Sequence, residues 1–530
     1  MNHTPAGRNL ARIRTTKKPT RTLLIALLLG PLAALHAADE LPPAQQPPAT
    51  AFLYQPEKAT IADVIPYFWN GQFHVMHLQK KPGQMGWDWA QIITPDFDGY
   101  TNAGIAIPGT EDKESPDLAI YTGSVIEKDG TLYAFYTGNN RFFKPQGKAY
   151  QQIFRATSVD GIHWKKDPDF MFNTGESPYY RFPHACRDPF VFWNPEKKEY
   201  GMLITAAARN FDSGSLAYAG SQDLSNWTLE EPFVASGRFP GYECPDLFYW
   251  GDHWYLLFST YSENPGSATR YMMAPSLAGP WTSPVDDFFD GGSLYAAKSV
   301  SDGTRRFLCG TLTRREPDEK GVSTDEAANG WSGHILIYEM LRRENGTLGV
   351  RIPPEVERSF GEPVAVKLPQ HPRWAPVGGG GVRAAQGPLS AQLGTLPSRC
   401  LVSAELTVPP TGRAGFWFGG DKDGKEGFRL FVDVGTQRLA WDRNERPMGS
   451  NPEKERNYRP LPMKPGDRIR VKVALDGNAA VASANDDVCL STRMYDRREN
   501  TFGIWSDTVG SEFASVTLQV PQATEKAGVE

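Results

Sequence analysis

Cysteine is scarce in this sequence of 530 residues, which has only five. A fold stabilised mainly by disulfides would be much smaller and much richer in cysteine, so a disulfide framework is excluded. We expect the thiols to be buried and unpaired. A Cys400–Cys489 bridge is the alternative, because both residues lie on predicted strands of one downstream domain. No histidine is placed to activate a thiol, so a catalytic cysteine is not predicted.

Long apolar runs are also rare, and the most prominent one, 23–35, lies near the N-terminus. Its 13 residues fall short of the roughly 20 that a helix needs to cross a bilayer. A basic stretch without an acid precedes the run and a small-residue segment follows it, as in a cleaved secretory signal. We therefore predict a signal peptide over 1–37, a flexible segment over 38–51, and a mature protein exported to the periplasm or the medium.

An excess of positive charge is missing as well. The formal net charge is −5, and loss of the six basic residues in 1–37 leaves 50 basic against 61 acidic residues, about −11. Such a surface is a poor partner for nucleic acid or an anionic membrane. We predict no nucleic-acid partner and no membrane contact after removal of the signal, and the oligomeric state stays open.

Amphipathic helical patterns are nearly absent, whereas aromatic and β-branched runs bounded by turn residues occur throughout, so the predicted class is all-β. Five times an aromatic-rich strand enters a tight polar turn and returns as a second apolar strand. The turns are 59, 65, 56 and 52 residues apart, a period typical of propeller blades. They lie at Asn70-Gly71, Asp129-Gly130, Asn194-Pro195, Gly251-Asp252 and Asp302-Gly303.

A second domain follows a segment rich in proline and glycine, 369–381. Short strands at sandwich-like spacing are predicted there, at 401–408, 412–418, 428–434, 468–474 and 513–518. This β-sandwich either buttresses the propeller or binds glycan. The predicted boundaries are a five-bladed propeller over 52–350, a linker over 351–374, the sandwich over 375–522 and a tail over 523–530.

Three acids, Asp63, Asp188 and Glu243, stand just ahead of the first strand of their repeat unit. A propeller gathers its first strands around one axis, so carboxylates that are far apart in the sequence can meet there. Each acid also has a structural interpretation. Asp63 could be a turn former, and Asp188 could form a surface ion pair with Arg187.

Glu243 stands between Tyr242 and Cys244, an apolar setting that favours a protonated carboxyl able to donate its proton. Asp246, which lies directly at the strand, is the second choice for this role. Carboxylates together with an aromatic rim of Trp87, Trp89 and Tyr121 indicate a sugar substrate.

No metal site is predicted. His74 and His77 are candidate metal ligands, but they lie three residues apart on one predicted strand, so their side chains face opposite sides. We interpret both as core or rim histidines rather than zinc ligands.

The segments Arg187-Asp188-Pro189 and Glu243-Cys244, 56 residues apart, resemble the Arg-Asp-Pro and Glu-Cys motifs of glycoside hydrolase family 32. This is the β-fructofuranosidase family of invertases, levanases and inulinases. The resemblance spans roughly 52 to 345 and extends to the segments 121–124, 129–138, 295–298 and 330–333. It implies a five-bladed propeller followed by a β-sandwich, with no metal or organic cofactor.

The first family motif, typically Trp-Met-Asn-Asp-Pro-Asn-Gly, is reduced here to Asp63 and a displaced Pro66, with Ala62 in place of the Asn. The later Gln of that repeat unit matches Leu78, and Gln79 comes one place on. These departures affect the expected contacts around the bound sugar.

The resemblance implies a retaining double displacement on β-D-fructofuranosyl linkages of sucrose or of fructans such as levan, inulin and fructo-oligosaccharides. Asp63 would be the nucleophile, Asp188 the transition-state stabiliser and Glu243 the acid/base. The expected partner is thus an oligo- or polysaccharide. The substrate-binding residues would be Arg187, Trp87, Trp89, Gln79, Ser124, Tyr295 and Lys298.

Three alternatives remain open. Fructosyl transfer to another sugar would use the same catalytic residues, and a different furanoside could be the substrate. A catalytically silent carbohydrate-binding propeller is the alternative from another class.

Overall fold

The structure is a computed structural model of the chain. It describes residues 52–521 apart from 176, 182–184, 210–213, 236, 262–267, 319–321, 326, 328, 422, 444–456 and 498. The predicted signal peptide 1–37, the segment 38–51 and the tail 523–530 lie outside the described residues. Within the described part of the chain, no helix has the length and apolarity needed to span a membrane.

Antiparallel sheets dominate the fold, so the predicted all-β class is confirmed. In the described residues, α1 (Pro354–Arg358) is the sole α-helix, and 3₁₀ turns occur at Lys144–Gln146 and Gly378–Gly380. The helix is only five residues long, and Pro354 suits its first turn because no intrahelical donor is lost there.

Residues 53–351 form five groups of strands, each an antiparallel meander. β1 (Leu53–Tyr54) pairs with a strand of the fifth group. The first group comprises β2 (Thr60–Trp69), β3 (Gln72–Lys80), β4 (Asp88–Thr94) and β5 (Thr101–Ile107). The second comprises β6 (Ala119–Lys128), β7 (Thr131–Asn139), β8 (Gln151–Ser158) and β9 (Lys165–Phe172). The third comprises β10 (Cys186–Asn194), β11 (Glu199–Ala207), β12 (Gly214–Ser221) and β13 (Thr228–Leu229).

The fourth group comprises β14 (Glu243–Trp250), β15 (His253–Thr260) and β16 (Ala268–Ala274). The fifth comprises β17 (Leu294–Ser301), β18 (Arg306–Arg315), β19 (Asn329–Arg342) and β20 (Leu348–Arg351). The first strands of the groups contact one another in sequence order, β2 with β6, β6 with β10, β10 with β14 and β14 with β17, and β17 contacts β2 again. The first and fifth groups thus lie next to each other, and Gly333 of β19 pairs with Ile61 of β2.

The predicted turns join the first two strands of each group. Asn70-Gly71 and Asp129-Gly130 are two-residue turns with positive φ at both positions, 48° and 78° in the first and 52° and 78° in the second. Asn194-Pro195 opens a longer turn, because the Asn194 side chain accepts the backbone N–H groups of Glu196 and Lys197. The turn residues therefore mark each hairpin correctly, although they do not fix its length.

A second repeated turn, which the sequence analysis did not predict, follows the third strand of two groups. Ser158 Oγ accepts the Gly161 N–H, and Ser221 Oγ accepts the Leu224 N–H. The carboxylates of Asp160 and Asp223 accept the next two backbone N–H groups. These local side-chain-to-backbone bonds close the turn to the outer strand.

The C-terminal region contains two further sheets. The first has eight strands: β21 (Val364–Ala365), β22 (Trp374–Pro376), β23 (Val382–Ala384), β25 (Arg399–Thr407), β30 (Arg468–Asp476), β31 (Ala479–Ala484), β32 (Val488–Arg493) and β34 (Glu512–Gln519). The second has six: β24 (Leu389–Thr395), β26 (Arg413–Phe418), β27 (Phe428–Asp433), β28 (Arg438–Arg443), β29 (Tyr458–Pro460) and β33 (Thr501–Ser506). Most of their buried apolar side chains form one core, whereas Trp417, Phe431 and Trp505 of the second sheet form a separate small cluster.

The five strands predicted in this region occur within two residues of the expected positions, and the short strands between them were missed. β31 is the instructive example, since its sequence, Ala-Ala-Val-Ala-Ser-Ala, has a single β-branched apolar residue. The predicted linker 351–374 contains α1 and β21, and β21 pairs with β34.

The cysteines are all unpaired and buried, which confirms the main prediction for them. The Cys400–Cys489 bridge is wrong because the two thiols lie in different apolar clusters. Cys489 Sγ instead lies 3.4 Å from the carbonyl oxygen of Val350.

One apolar cluster joins the fifth group of strands to the eight-stranded sheet. Tyr338 and Leu348 from the former pack in the same cluster as Val481 from the latter. Buried Asp290 adds polar links, because its carboxylate accepts the Ser491 N–H and the Tyr338 hydroxyl, both at 2.7 Å. The two regions therefore share a continuous interior.

Deletion of residues from 375 onward should give insoluble or unstable protein, because it exposes this shared apolar surface to water. Soluble yield and thermal unfolding of the shortened and full chains would measure the effect. A soluble, fully stable fragment ending near residue 365 would show that the strand groups fold independently of the C-terminal sheets.

Candidate active site

The first strand of every group has a shift of register, a β-bulge, near its start. A bulge inserts an additional residue into one strand and redirects the side chains around it. The shifts lie between Ala62 and Val64, Tyr121 and Gly123, Arg187 and Phe190, Glu243 and Asp246, and Tyr295 and Lys298.

The bulges let neighbouring residues face the same side. Adjacent residues of a regular strand point to opposite faces. Asp188 and Cys244 instead have φ values of 58° and 51°, in the left-handed region, and both Arg187–Asp188 and Glu243–Cys244 line one cavity. Each of these strands thereby presents two consecutive side chains to the cavity.

The cavity has a volume of about 630 Å³, within the range of small-molecule sites. Its lining brings together the three carboxylates singled out in the sequence. The lining residues from the first strands are Asp63, Tyr121, Arg187, Asp188, Glu243, Cys244 and Tyr295. The remaining ones are Gln151, Tyr261, Gly292, Thr313, Glu316, Gly330 and Trp331.

Asp63 and Asp188 form the buried floor of the cavity, with 8% and 4% of their surfaces exposed. Cys244 Sγ lies 3.9 Å from one carboxylate oxygen of each. One Asp188 carboxylate oxygen accepts the Cys244 N–H at 3.1 Å, and the Thr205 hydroxyl lies 3.3 Å from it but donates its one proton to the Tyr242 carbonyl at 2.7 Å. Arg187 Nε is 3.5 Å from the same oxygen. Asp188 thus belongs to a buried network, and its ion pair with Arg187 lies within that network rather than on the surface.

Glu243 has a more polar environment than its sequence neighbours suggested. Arg187 Nη2 donates to one carboxylate oxygen at 2.5 Å, and the Tyr295 hydroxyl donates to the other. The Tyr242 side chain packs in an apolar cluster instead. Asp246 does not line the cavity, because its carboxylate accepts the Ser299 N–H at 2.7 Å. The geometry therefore favours Glu243 over Asp246 as the acid that can reach a ligand.

Burial and like charge raise the pKa of Asp63 from 3.8 to about 7. Burial contributes most, followed by the charges of Asp188 and Glu243, while Lys298 opposes the shift. Burial also raises the pKa of Asp188, against the attraction of Arg187. The pKa of Tyr295 lies well above its usual value because of burial and the Glu243 carboxylate, so its hydroxyl remains a donor.

Four predicted binding residues lie behind the cavity wall. Lys298 is buried and donates to the Gly123 carbonyl at 2.5 Å. Trp89 is also buried, and its indole N–H donates to the Tyr121 carbonyl at 2.9 Å. Ser124 Oγ accepts the Val191 N–H, and Gln79 is 9% exposed on β3. None of these four lines the cavity, whereas Arg187 and Tyr295 do.

Aromatic residues form part of the wall. Trp331 and Tyr261 are 41% and 49% exposed, and Trp87 packs behind Trp331 with ring centroids 4.9 Å apart. Tyr121 lies on the same side, 6.2 Å from Trp331. Trp331 was missed as a site residue, although it lies in the segment 330–333, whose family resemblance could have identified it. Tyr261 follows β15 and has no such signal.

The two histidines on β3 serve the interior. His74 stacks on Tyr67 with ring centroids 4.7 Å apart and contacts Gln91 through Nδ1. His77 is fully buried with its ring edge-on to Tyr54. Among the described residues no cluster of three or more His, Cys, Asp or Glu side chains could hold a metal.

Residues 54–349 match the family model described as Glycosyl hydrolases family 32 N-terminal domain. The chain is 23% identical over 456 residues to sucrose-6-phosphate hydrolase of Escherichia coli, covering 82% of this chain and 86% of that protein. It is 27% identical over 313 residues to the levanbiose-producing levanase of Geobacillus stearothermophilus, covering 53% of this chain and 73% of that protein.

Among solved structures, sucrose-6-phosphate hydrolase of Lactobacillus gasseri superimposes with a TM-score of 0.68 at 16% identity, covering 89% of this chain and 93% of that one. At this identity the similarity establishes the fold alone.

Asp63→Asn should raise the thermal stability more at pH 8 than at pH 4.5. The folded-state pKa of Asp63 lies above 3.8, so the native protein binds the additional proton between about pH 4 and pH 7 and loses stability as the pH rises through that range. The amide removes this loss. Thermal unfolding of both proteins against pH would measure the difference.

Asp167→Asn is the control of opposite sign, because hydrogen bonding to Arg155 lowers the pKa of Asp167. Its stabilising effect is present above the unfolded-state pKa and is lost as the pH falls, so this variant should be destabilised more at pH 8 than at pH 3. A pH-independent gain for Asp63→Asn would contradict the burial of a charged carboxylate.

Proposed function

Because the chain belongs to glycosyl hydrolase family 32, we propose that this glycoside hydrolase cleaves β-D-fructofuranosyl linkages of sucrose or fructans with retention of configuration. The observation that carries the proposal is the meeting of Asp63, Asp188 and Glu243 in one cavity, from three separate groups of strands. The relatives named as sucrose-6-phosphate hydrolase and levanase support a saccharide substrate.

Asp63 is the proposed nucleophile that attacks the anomeric carbon. It acts in its ionised form, and the positive charge that develops on the sugar favours that form despite the raised pKa. Lys298 sits behind the site and favours the same form. The attack gives a covalent fructosyl ester, and the leaving oxygen departs with the electrons of the glycosidic bond.

Glu243 is the proposed acid and base. It protonates the leaving oxygen in the first step and takes a proton from water in the second, which hydrolyses the ester. Arg187 and Tyr295 hold the carboxylate from both sides. Each carboxylate oxygen accepts one of these two hydrogen bonds, so a lone pair is left on each oxygen to carry the proton that is donated.

Asp188 is the proposed transition-state stabiliser. Its carboxylate accepts the Cys244 N–H and pairs with Arg187, and it faces the cavity next to Asp63. A fixed negative charge there favours the oxocarbenium-like transition state and can accept ring hydroxyl groups.

The five groups of strands are the proposed blades of a five-bladed propeller over 52–350. The contacts of their first strands in ring order, and the pairing of β1 with β19, support this closure. We propose the linker at 351–374 and the β-sandwich at 375–522 as the remaining organisation. The face of Trp331 offers an apolar surface on which a sugar ring can stack.

Purified enzyme should release reducing sugar from at least one of sucrose, inulin and levan.

Asp188→Asn should lower kcat by several orders of magnitude and keep part of the substrate affinity, because its contact with the substrate strengthens in the transition state. Asp63→Asn should abolish the covalent intermediate, which mass spectrometry after trapping with an activated fluorinated fructoside would show. A label on Asp188 would mean that Asp188 is the nucleophile and Asp63 the transition-state stabiliser.

In the activity assay, transfer products without hydrolysis would indicate a fructosyltransferase. Substrate binding without turnover would indicate a catalytically silent carbohydrate-binding propeller.

Glu243→Ala should slow the hydrolysis of fructosides with poor leaving groups far more than that of activated aryl fructosides, since only the former need the proton. Rates on both classes measure the difference. Asp246→Ala is the matched control, and it should affect both classes equally. A larger leaving-group effect for Asp246→Ala would assign the acid role to Asp246.

We propose that the enzyme is exported by the leader at 1–37. Bacterial expression of the full chain should yield exported protein whose N-terminus is Ala38, determined by N-terminal sequencing. Leu28→Arg, which interrupts the apolar run, should retain the uncleaved chain inside the cell. An intact N-terminus on the exported wild type would contradict cleavage.

A further inference from the structure

The bulge that carries Asp188 is held from the neighbouring group of strands. Asp188 has a φ of 58°, a conformation that non-glycine residues keep only where their surroundings hold it. Its backbone N–H donates at 2.8 Å to the hydroxyl of Thr137, which lies on β7 of the second group. Both residues are buried, so water does not compete for this bond.

The Thr137 hydroxyl is also fixed by a second bond. It donates its proton at 3.0 Å to the carbonyl of Thr122, which is the additional residue in the bulge of β6. With that proton committed, the oxygen can only accept from Asp188. The position therefore needs a group that both donates and accepts, and a hydroxyl on a short side chain provides it.

The same arrangement recurs farther along the chain. Ser259 Oγ on β15 accepts the Ala296 N–H at 2.9 Å, and Ala296 has a φ of 52° in the bulge of β17. In each case a hydroxyl on the second strand of one group holds the bulged backbone of the next. Its recurrence indicates a feature of the fold rather than an isolated contact.

The backbone conformation of the bulge at Asp188 sets the positions of two side chains, Arg187 and Asp188. Arg187 precedes it and holds the Glu243 carboxylate, while Asp188 itself faces Asp63. A regular strand would turn one of the two side chains away from the cavity. A change of backbone at this residue consequently alters both carboxylate contacts together.

We infer that Thr137 is a positioning residue, which holds Arg187 and Asp188 in the geometry needed for the proposed reaction and contacts no substrate itself. The expected effect of Thr137 on turnover rests on the proposed function. Its expected effect on the positions of Arg187 and Asp188 does not depend on that function.

Three variants test the inference. Thr137→Val has a similar shape but no hydroxyl, and leaves the Asp188 N–H and the Thr122 carbonyl without their partner. Thr137→Ser keeps the hydroxyl. Thr501→Val in the six-stranded sheet is the matched control, because it removes a buried hydroxyl that donates at 2.5 Å to the Gly420 carbonyl, away from the cavity. Kinetics, thermal unfolding and crystal structures would be measured for all three variants.

Thr137→Val should lower kcat on the best substrate about 10- to 100-fold with KM changed less than about threefold, as expected for a small misplacement of groups that act in the transition state. Thr137→Ser should stay within about threefold of the wild type. Thr501→Val should lose thermal stability but keep kcat. The crystal structure of Thr137→Val should show Asp188 or Arg187 displaced from the cavity.

Unchanged positions of both Asp188 and Arg187 in the Thr137→Val crystal structure would overturn the inference whether or not the enzyme acts on fructosides. So would a loss of kcat no greater than that of Thr501→Val, or a failure of Thr137→Ser to restore turnover. A wild type inactive on every fructoside would instead reject the proposed function, and the crystal structures would still decide the role of Thr137.

Discussion

The β-bulge near the start of each first strand is the constraint on which the candidate site depends. Without it, side chains would alternate between the cavity and the opposite face, and a strand could present either Arg187 or Asp188 but not both. The bulge in β14 does the same for Glu243 and Cys244. Because the groups contact one another through these strands, the redirected side chains meet in a single cavity.

The price of this convergence is electrostatic. Burial raises the pKa of both Asp63 and Asp188; the charges of Asp188 and Glu243 add to the shift of Asp63, and the charge of Glu243 adds to that of Asp188. Arg187 and Lys298 offset part of the repulsion, but neither is free to move, since one holds Glu243 and the other donates to Gly123. A site of this kind lowers the stability of the folded state in exchange for groups poised to react.

The C-terminal sheets support the cavity wall from behind. Arg493 on β32 donates to the backbone carbonyls of Leu312 and Thr313, at 2.8 and 2.7 Å, and Thr313 lines the cavity. The guanidinium is partly buried and also contacts His334 on the neighbouring strand β19. These bonds fix the backbone of β18 next to the site, so the sheets act as a buttress there, one of the two roles considered for them.

The sequence by itself determined the all-β class, the five hairpins and the choice of the three acids, because turn residues, strand patterning and the position of an acid near the start of a strand are local features. The tertiary structure decided which side chains share the cavity. It placed Arg187 and Tyr295 on Glu243, turned Asp246 away, buried Trp89 and exposed Tyr261 in the wall. A bulge changes the face of the sheet to which side chains point, yet it does not change the pattern of apolar residues in the sequence. Contacts between strands that are distant in the sequence also leave no local signal.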